Sequence, residues 1–581
     1  MKIVVANSVG VDSNGYHMVH VPSRWSLGVK NFTNCGYYPW ELAYTSSLLK
    51  RETSHDVKFL DGALMGWDFQ TYFSKLEEEQ PDWLVMESST RTLREDLRLA
   101  KAAKEAFGTR LIFTGQHPMA DPETVLKTAD FVCIGEYEFA VLDLVRGKDP
   151  RSIPGIYPNP RGELIDIHKL PFPEDDDIRR IDYHEPNCRY RQIQMYASRG
   201  CPRRCNFCAA ATLYYDELNW RPRNVDNVVE EIRTLKEKYP EMEGVFFDEE
   251  VHNIKKSFNI ALAKAIRGAG LDNLKYEAMC EYASLDREAL EEMRSAGYYK
   301  VRIGVETGSD VIAEKMTLGK KHDLKNLWKT LKFSKEIGML VYGTFSIGGL
   351  GSTYEEDRKT VELIYELSNQ GLLAEIQVSI NTPQPGTDFY NSSVSAGQLP
   401  PDMEWEAFDG GGSVVVSYPN YSADKILENR VSALDAFDRG KAEFNSLAFA
   451  DSAKISFEAL SPTAKVLTLR CARPWFVELV LASLKERTGT SSDLLGQDAM
   501  QNHFQATDFV GNYYSYGSGF FAENALSQEL QSRLKDAHYD AILIPSANNH
   551  MAGYQNVMAV AKNLGAEKIF AVFPEGTLKA L

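Results

Sequence analysis

The chain has little cysteine, no long apolar run and no excess of positive charge. Eight cysteines in 581 residues, five of them (Cys35, Cys133, Cys188, Cys280 and Cys471) isolated from the rest, exclude a disulfide framework and point to a reducing compartment. No uninterrupted apolar run could span a bilayer and no signal peptide is evident, so no transmembrane segment is expected and a cytoplasmic location is. Lys and Arg number 64 against 81 Asp and Glu, a formal charge of −17. That balance repels a phosphate backbone, so a small-molecule substrate is expected and no nucleic acid. Short-period repeats and low-complexity tracts are also missing. What remains is ordinary globular composition, 44% apolar and 25% charged, at a length that predicts two to four domains.

The fold class is α/β throughout. From the N-terminus, "KIVVANS", "DVKFLDG", "DWLVMESS", "RLIFTGQH" and "FVCIGE" alternate with helical stretches such as "PWELAYTSSLLKRE". This predicts a doubly wound, Rossmann-like parallel sheet over residues 1–150. Ligands of such sheets sit at the carboxyl ends of strands, which here carry Ser88, Ser89, Thr90, Gly115, Gln116, His117, Gly135 and Glu136. Residues 151–192, rich in proline and charge, read as a linker. Over 193–390 six further strands, from "IQMYASRG" to "AEIQVSI", alternate with helices and predict an open, partial (β/α)6 barrel of the TIM type. The first of those helices begins at a candidate cap, Asn224, and stops before Pro240. Residues 391–445 form a bridging loop and helical segment. Residues 446–581 predict a small C-terminal α/β domain whose polar strand end, Ser546 to His550, could take a ligand; its role is not legible.

Cys201, Cys205 and Cys208 follow the first barrel strand directly, in the loop where barrel folds build active sites. A structural zinc site wants four ligands, and so does a complete ferredoxin-type cluster. With three thiolates, a four-iron cluster keeps one iron open for substrate. A zinc site would need a distant fourth ligand such as Cys188 or His184.

The C-x3-C-x2-C spacing, with Phe207 before the last cysteine, resembles the signature of radical S-adenosylmethionine (SAM) enzymes. The resemblance implies a [4Fe-4S] cluster on Cys201, Cys205 and Cys208, with SAM chelated to the open iron and an external electron donor such as flavodoxin or ferredoxin. "VFFDEEVHN" resembles the acidic motif that faces the methionyl amino group, which implies Asp248 and Glu249. "VRIGVETGSD" resembles the strand that contacts the adenosyl moiety, which implies Arg302, Gly304 and Glu306. "FSIGGLGSTYEE", with Ser346, resembles a later strand of the same site.

Residues 80–145 resemble the cobalamin-binding domain of the cobalamin-dependent subgroup, with Gly115-Gln116 where that subgroup usually has Gly-Gly and "GEYE" where it has Gly-Glu-Gly-Glu. The D-x-H-x-x-G motif that supplies a lower axial histidine elsewhere is absent, so no protein imidazole is expected on cobalt. The resemblance implies cobalamin as cofactor and methyl transfer to an unactivated carbon of a small molecule. A ring-forming or rearranging reaction with no net methyl transfer uses the same motifs, and a non-catalytic cobalamin or redox sensor is the rival from another class.

Overall fold

The computed structural model describes all residues except 22–24, 30–35, 319–321, 401–402, 449–454, 456, 520 and 522. Cys35 lies outside the described residues, and none of the other seven cysteines is in a disulfide. No helix among the described residues is long and apolar enough to cross a membrane.

Three α/β units follow one another. The first holds β1 (Lys2–Asn7), a hairpin of β2 (His17–Val21) and β3 (Trp25–Val29), then β4 (Asp56–Asp61), β5 (Trp83–Glu87), β6 (Arg110–Thr114) and β7 (Phe131–Val132). Ile3, Val4, Val5 and Ala6 are all fully buried, because a parallel strand covered by helices on both faces is apolar on both. The sheet order is β4-β1-β5-β6-β7. Strand order therefore reverses between β1 and β5, which makes the crevice above their carboxyl ends the natural ligand position.

The second unit holds six parallel strands in sequential order: β8 (Gln192–Met195), β11 (Gly244–Phe247), β12 (Lys275–Cys280), β13 (Tyr298–Glu306), β14 (Leu340–Ile347) and β15 (Glu375–Ile380). Both β8 and β15 are edges, so the barrel is open between them. A short antiparallel pair, β9 (Ser198–Arg199) and β10 (Arg221–Pro222), flanks the cysteine loop. The helix Val225–Lys238 starts where expected, its cap Asn224 accepting from the Asp226 N–H at 2.9 Å. Linker residues fill the lower lumen. Lys300, fully buried, lies 3.2 Å from Glu277 and 2.9 Å from Glu375, and Glu375 also takes Arg189 at 3.0 Å.

The third unit holds β16 (Val466–Leu469), β17 (Ser492–Gly496), β18 (Val510–Ser515), β19 (Ala541–Pro545), β20 (Lys568–Val572) and β21 (Leu578–Ala580), in the order β18-β17-β16-β19-β20-β21. Only β21 is antiparallel. The helix Ala423–Ala448 runs through position 446, where a domain border is expected, and Arg473 of the third unit grips its Asp438 at 2.7 Å. The polar strand end after β19 is a docking element. The Asn549 N–H donates to Arg189 O at 2.9 Å, and Asn548 Nδ2 donates to Pro186 O at 3.3 Å.

Candidate functional site: a cysteine loop over a barrel cavity

At the carboxyl end of the barrel, Gly200 turns the chain into the cysteine loop. Its φ is +97°, and a Cβ there would stand 1.8 Å from Asn219 Oδ1, so the turn needs glycine. Cys201, Cys205 and Cys208 are half-buried. The loop rests on the segment after β13: Asn206 donates its N–H to Met316 O (3.1 Å) and its Nδ2 to Lys315 O (3.0 Å). Cys205 and Phe207 pack there against Ile312, Ala313, Met316 and Leu318. Among the described residues no three His, Cys, Asp or Glu side chains are gathered around a single metal ion. Ligands of a cubane cluster stand on separate irons and are spaced more widely than those of one ion. Burial, then the neighbouring Cys208, pushes the Cys201 thiol up to about 12. A cluster's charge acts in the opposite sense and holds thiolates, so three soft donors fit an iron–sulfur cluster. The two candidate zinc ligands are engaged elsewhere: Cys188 accepts from Arg302 at 3.4 Å, and His184 packs on the His550 ring at 5.4 Å.

The loop is bolted to the first unit on both sides. After Cys208 the chain enters a π-helix, Ala210–Tyr215, from which the Tyr214 hydroxyl donates to Glu87 Oε1 at 2.5 Å; Glu87 is the last residue of β5. Before Cys201, the buried Arg199 meets Glu136 at 2.8 Å and pairs with Glu138. Glu136 also takes Arg221 at 2.7 Å. This carboxylate therefore braces the two units instead of opening onto the strand-end crevice.

A cavity of about 310 Å³ lies at the barrel mouth, and its wall includes Phe207, Cys208, Asp248, Arg302, Glu306 and Ser346. Glu306 has φ +67° beside a register shift of β13 that begins at Gly304, an uncommon conformation for a residue with a Cβ. The Arg302 guanidinium is held between Glu185 and Glu277. Glu249 is fully buried and does not line the cavity; its Oε1 meets His252 Nδ1 at 2.6 Å, and His252 Nε2 is 3.0 Å from the Tyr298 hydroxyl. Ser346 Oγ and Asn381 Nδ2 are buried without a protein partner, as expected of groups that a ligand satisfies.

In the first unit, Asp96 fills the point where strand order reverses. It accepts from Ser8 Oγ (2.9 Å), Ser88 Oγ (2.7 Å) and the Val9 N–H (2.8 Å), while burial pushes its carboxyl up to about 6. Ser89 Oγ donates to Ser26 of the β2–β3 hairpin at 2.7 Å. The Thr90 N–H donates to Gln116 Oε1 at 3.3 Å, and Thr90 Oγ1 is 3.1 Å from His117 Nδ1. Gly115, at φ +102°, lets the backbone pass Ser88, whose O a Cβ would meet at 2.5 Å; Gly135, at φ +77°, passes Arg161 in the same way. Burial pushes His117 down to about 4, its Nε2 has no protein partner, and the Trp405 ring lies 4.5 Å from its own. The Ser88, Ser89 and Thr90 hydroxyls and amides are bonded within the protein, which leaves His117 Nε2, beside the Trp405 ring, as the group here that a cofactor's polar edge could satisfy. The crevice and the barrel cavity meet where Gln116 Nε2 donates to Gln384 Oε1 at 3.0 Å, Gln384 being on the cavity wall.

Residues 195–364 match the family model of the radical SAM superfamily. The chain is 26% identical to an uncharacterized methyltransferase of Pyrococcus horikoshii over 387 residues, covering 64% of this chain and 81% of that protein. Two solved structures share its fold at 14% identity. The radical SAM methyltransferase TsrM of Kitasatospora setae, with cobalamin and a [4Fe-4S] cluster bound, aligns with a TM-score of 0.55 over 73% of this chain and 84% of its own. The cobalamin-dependent SAM radical enzyme OxsB, with aqua-cobalamin and SAM bound, aligns with a TM-score of 0.57 over 78% and 69%. With the cysteine loop, the open barrel and the preceding doubly wound sheet in one chain, residues 195–364 form a radical SAM domain, and the chain has the fold of the cobalamin-dependent enzymes TsrM and OxsB.

Proposed function

We propose that the protein is a cobalamin-dependent radical SAM methyltransferase that methylates an unactivated carbon of a small molecule. The observation that carries this reading is the single cavity that has Cys208, Asp248, Glu306 and Ser346 on its wall and touches the strand-end crevice through Gln384 and Gln116. Cys201, Cys205 and Cys208 would hold the [4Fe-4S] cluster, with SAM against Asp248, Glu306 and Ser346. Cobalamin would rest against Ser88 to Thr90 and Gly115 to His117, beside Trp405. Bound together, these groups supply a methyl donor and a hydrogen-abstracting radical. The chain's own part is to orient them, to keep water out with the β2–β3 hairpin and the Trp405 segment, and to pair Arg302 internally so that its charge does not compete for SAM.

The expectation that no histidine binds cobalt rests on the missing D-x-H-x-x-G motif, and His117, whose Nδ1 meets Thr90 while its Nε2 has no protein partner, is the imidazole against which it is tested. Electron paramagnetic resonance of the cobalt(II) form is expected to show no splitting from an axial nitrogen. A nitrogen splitting that disappears in His117→Ala would overturn this part of the reading.

A further inference from the structure

At Arg302 the cavity meets the charged floor of the barrel. The guanidinium lines the cavity and is paired from behind by Glu277 of β12 and by Glu185 of the linker, a side chain 2% exposed. Burial pushes the Glu185 carboxyl up and the Arg302 charge more than offsets it, so Glu185 is ionised at neutral pH. Glu277 is shared, since Lys300 lies 3.2 Å from it. In this floor group Glu185, Glu277 and Glu375 face Arg189, Lys300 and Arg302, three charges of each sign, and of those three cations Arg302 is the one on the cavity wall.

Glu185 is held in place through its own turn. The Cys188 N–H closes that turn by donating to Glu185 O at 3.0 Å, and Asn187 Nδ2 donates to Glu185 Oε1 at 2.7 Å. The next four carbonyls are all taken from outside the linker. Asn548 Nδ2 donates to Pro186 O (3.3 Å), Lys300 Nζ to Asn187 O, His550 Nε2 to Cys188 O (3.3 Å) and the Asn549 N–H to Arg189 O (2.9 Å). Three of these four donors come from one loop of the third unit, so that loop closes on the residues next to the counter-charge of Arg302.

We propose that the third unit sets the charge that Arg302 presents to the cavity: its 548–550 loop holds the turn that keeps Glu185 on Arg302, and Glu185 is a positioning residue. The inference rests on reading the cavity as the radical SAM site. With both carboxylates in place the guanidinium is matched, and a ligand carboxylate gains little from it. With Glu185 withdrawn or neutral, one floor cation is unmatched, and Arg302 is the one a ligand can touch in a cavity of about 310 Å³. A charge-assisted bond to Arg302 would then draw in the carboxylate of SAM, which the cluster needs free.

The test uses the full-length, anaerobically reconstituted enzyme and two ligands that differ only in a carboxylate, S-adenosylhomocysteine and its decarboxylated analogue. Calorimetric titration of Glu185→Gln is expected to show S-adenosylhomocysteine bound about tenfold tighter than by the wild type, the ratio of about 1.4 kcal/mol, with the analogue within about twofold. A purely structural role would weaken both ligands together. His550→Leu, which removes one bond of the third unit's loop, should give a smaller gain of the same sign, about threefold. Arg473→Ala loosens the third unit at Asp438 instead and should change neither ligand. His550→Leu also carries the test if Glu185→Gln does not fold. Unchanged or jointly weakened binding in Glu185→Gln, no carboxylate-dependent gain in His550→Leu, or the same gain in Arg473→Ala would overturn the inference. Reductive SAM cleavage by the wild-type enzyme is the separate control. Its absence would remove the radical SAM reading, whereas its presence without the carboxylate-dependent gain would remove only this inference.

Discussion

Changing Cys201, Cys205 and Cys208 together to alanine is expected to abolish both the iron–sulfur absorbance of anaerobically prepared protein and its reductive cleavage of SAM, down to the rate of a buffer blank. Thiolate is the iron ligand, and alanine offers no donor at all. The fold should survive the change. The thiols are half-buried, and the loop is fixed by contacts the substitutions leave alone: Asn206 on Met316 and Lys315, and Tyr214 on Glu87. Unchanged circular dichroism with no bound iron is therefore the expected pair of results. Four irons per chain in the triple variant would contradict the assignment.

The largest stability effect is expected from Arg199→Ala. Arg199 is buried and serves Glu136 and Glu138, with Glu41 at 3.8 Å. Burial pushes the Glu41 carboxyl up to about 8, so at neutral pH it is largely protonated and loses little. Glu136 keeps Arg221. Glu138 is the carboxylate left without its cation, and breaking a buried pair in this way costs about 3–5 kcal/mol. Calorimetry should show a lowered transition for the first two units, while a third unit folded around its own core keeps its transition. A change under about 1 kcal/mol would mean that Arg199 does not bind the units together. Arg199→Lys, a point charge unable to span both carboxylates, should fall between the two.

Much of the fold is legible in the sequence because parallel strands announce themselves as apolar runs. "KIVVANS" and "KVRIGVETG" lie within one or two residues of β1 and β13. The β2–β3 hairpin is harder to see: "HMVHV" and "WSLGV" are five residues each and pair antiparallel outside the parallel sheet, so the strand-helix rhythm passes over them. β18 escapes because "VGNYYS" is mostly polar or exposed, and β17 because "SDLLG", though buried, holds only two large apolar residues. In the site, the strand-end residues Cys208, Asp248, Arg302, Glu306 and Ser346 line one cavity. Strand-end position could not reveal which carboxylates are already taken. Glu136 and Glu249 are claimed by Arg199 and His252, partners distant or differently oriented in ways that only the folded chain fixes. Asp96 was hidden inside an amphipathic helix, where an acidic residue reads as solvated surface, although it is fully buried against Ser8 and Ser88.

The central claim is methyl transfer, and product counting tests it most directly. A methyl group taken from SAM as a cation leaves S-adenosylhomocysteine, while a radical started from SAM leaves methionine and 5'-deoxyadenosine; methylating an unactivated carbon requires one event of each kind. With SAM labelled on its methyl group and the true substrate present, the account predicts labelled product, with S-adenosylhomocysteine and 5'-deoxyadenosine in near-equal amounts after uncoupled cleavage is subtracted. Unlabelled product accompanied by 5'-deoxyadenosine without stoichiometric S-adenosylhomocysteine would contradict it and assign the protein to rearrangement chemistry.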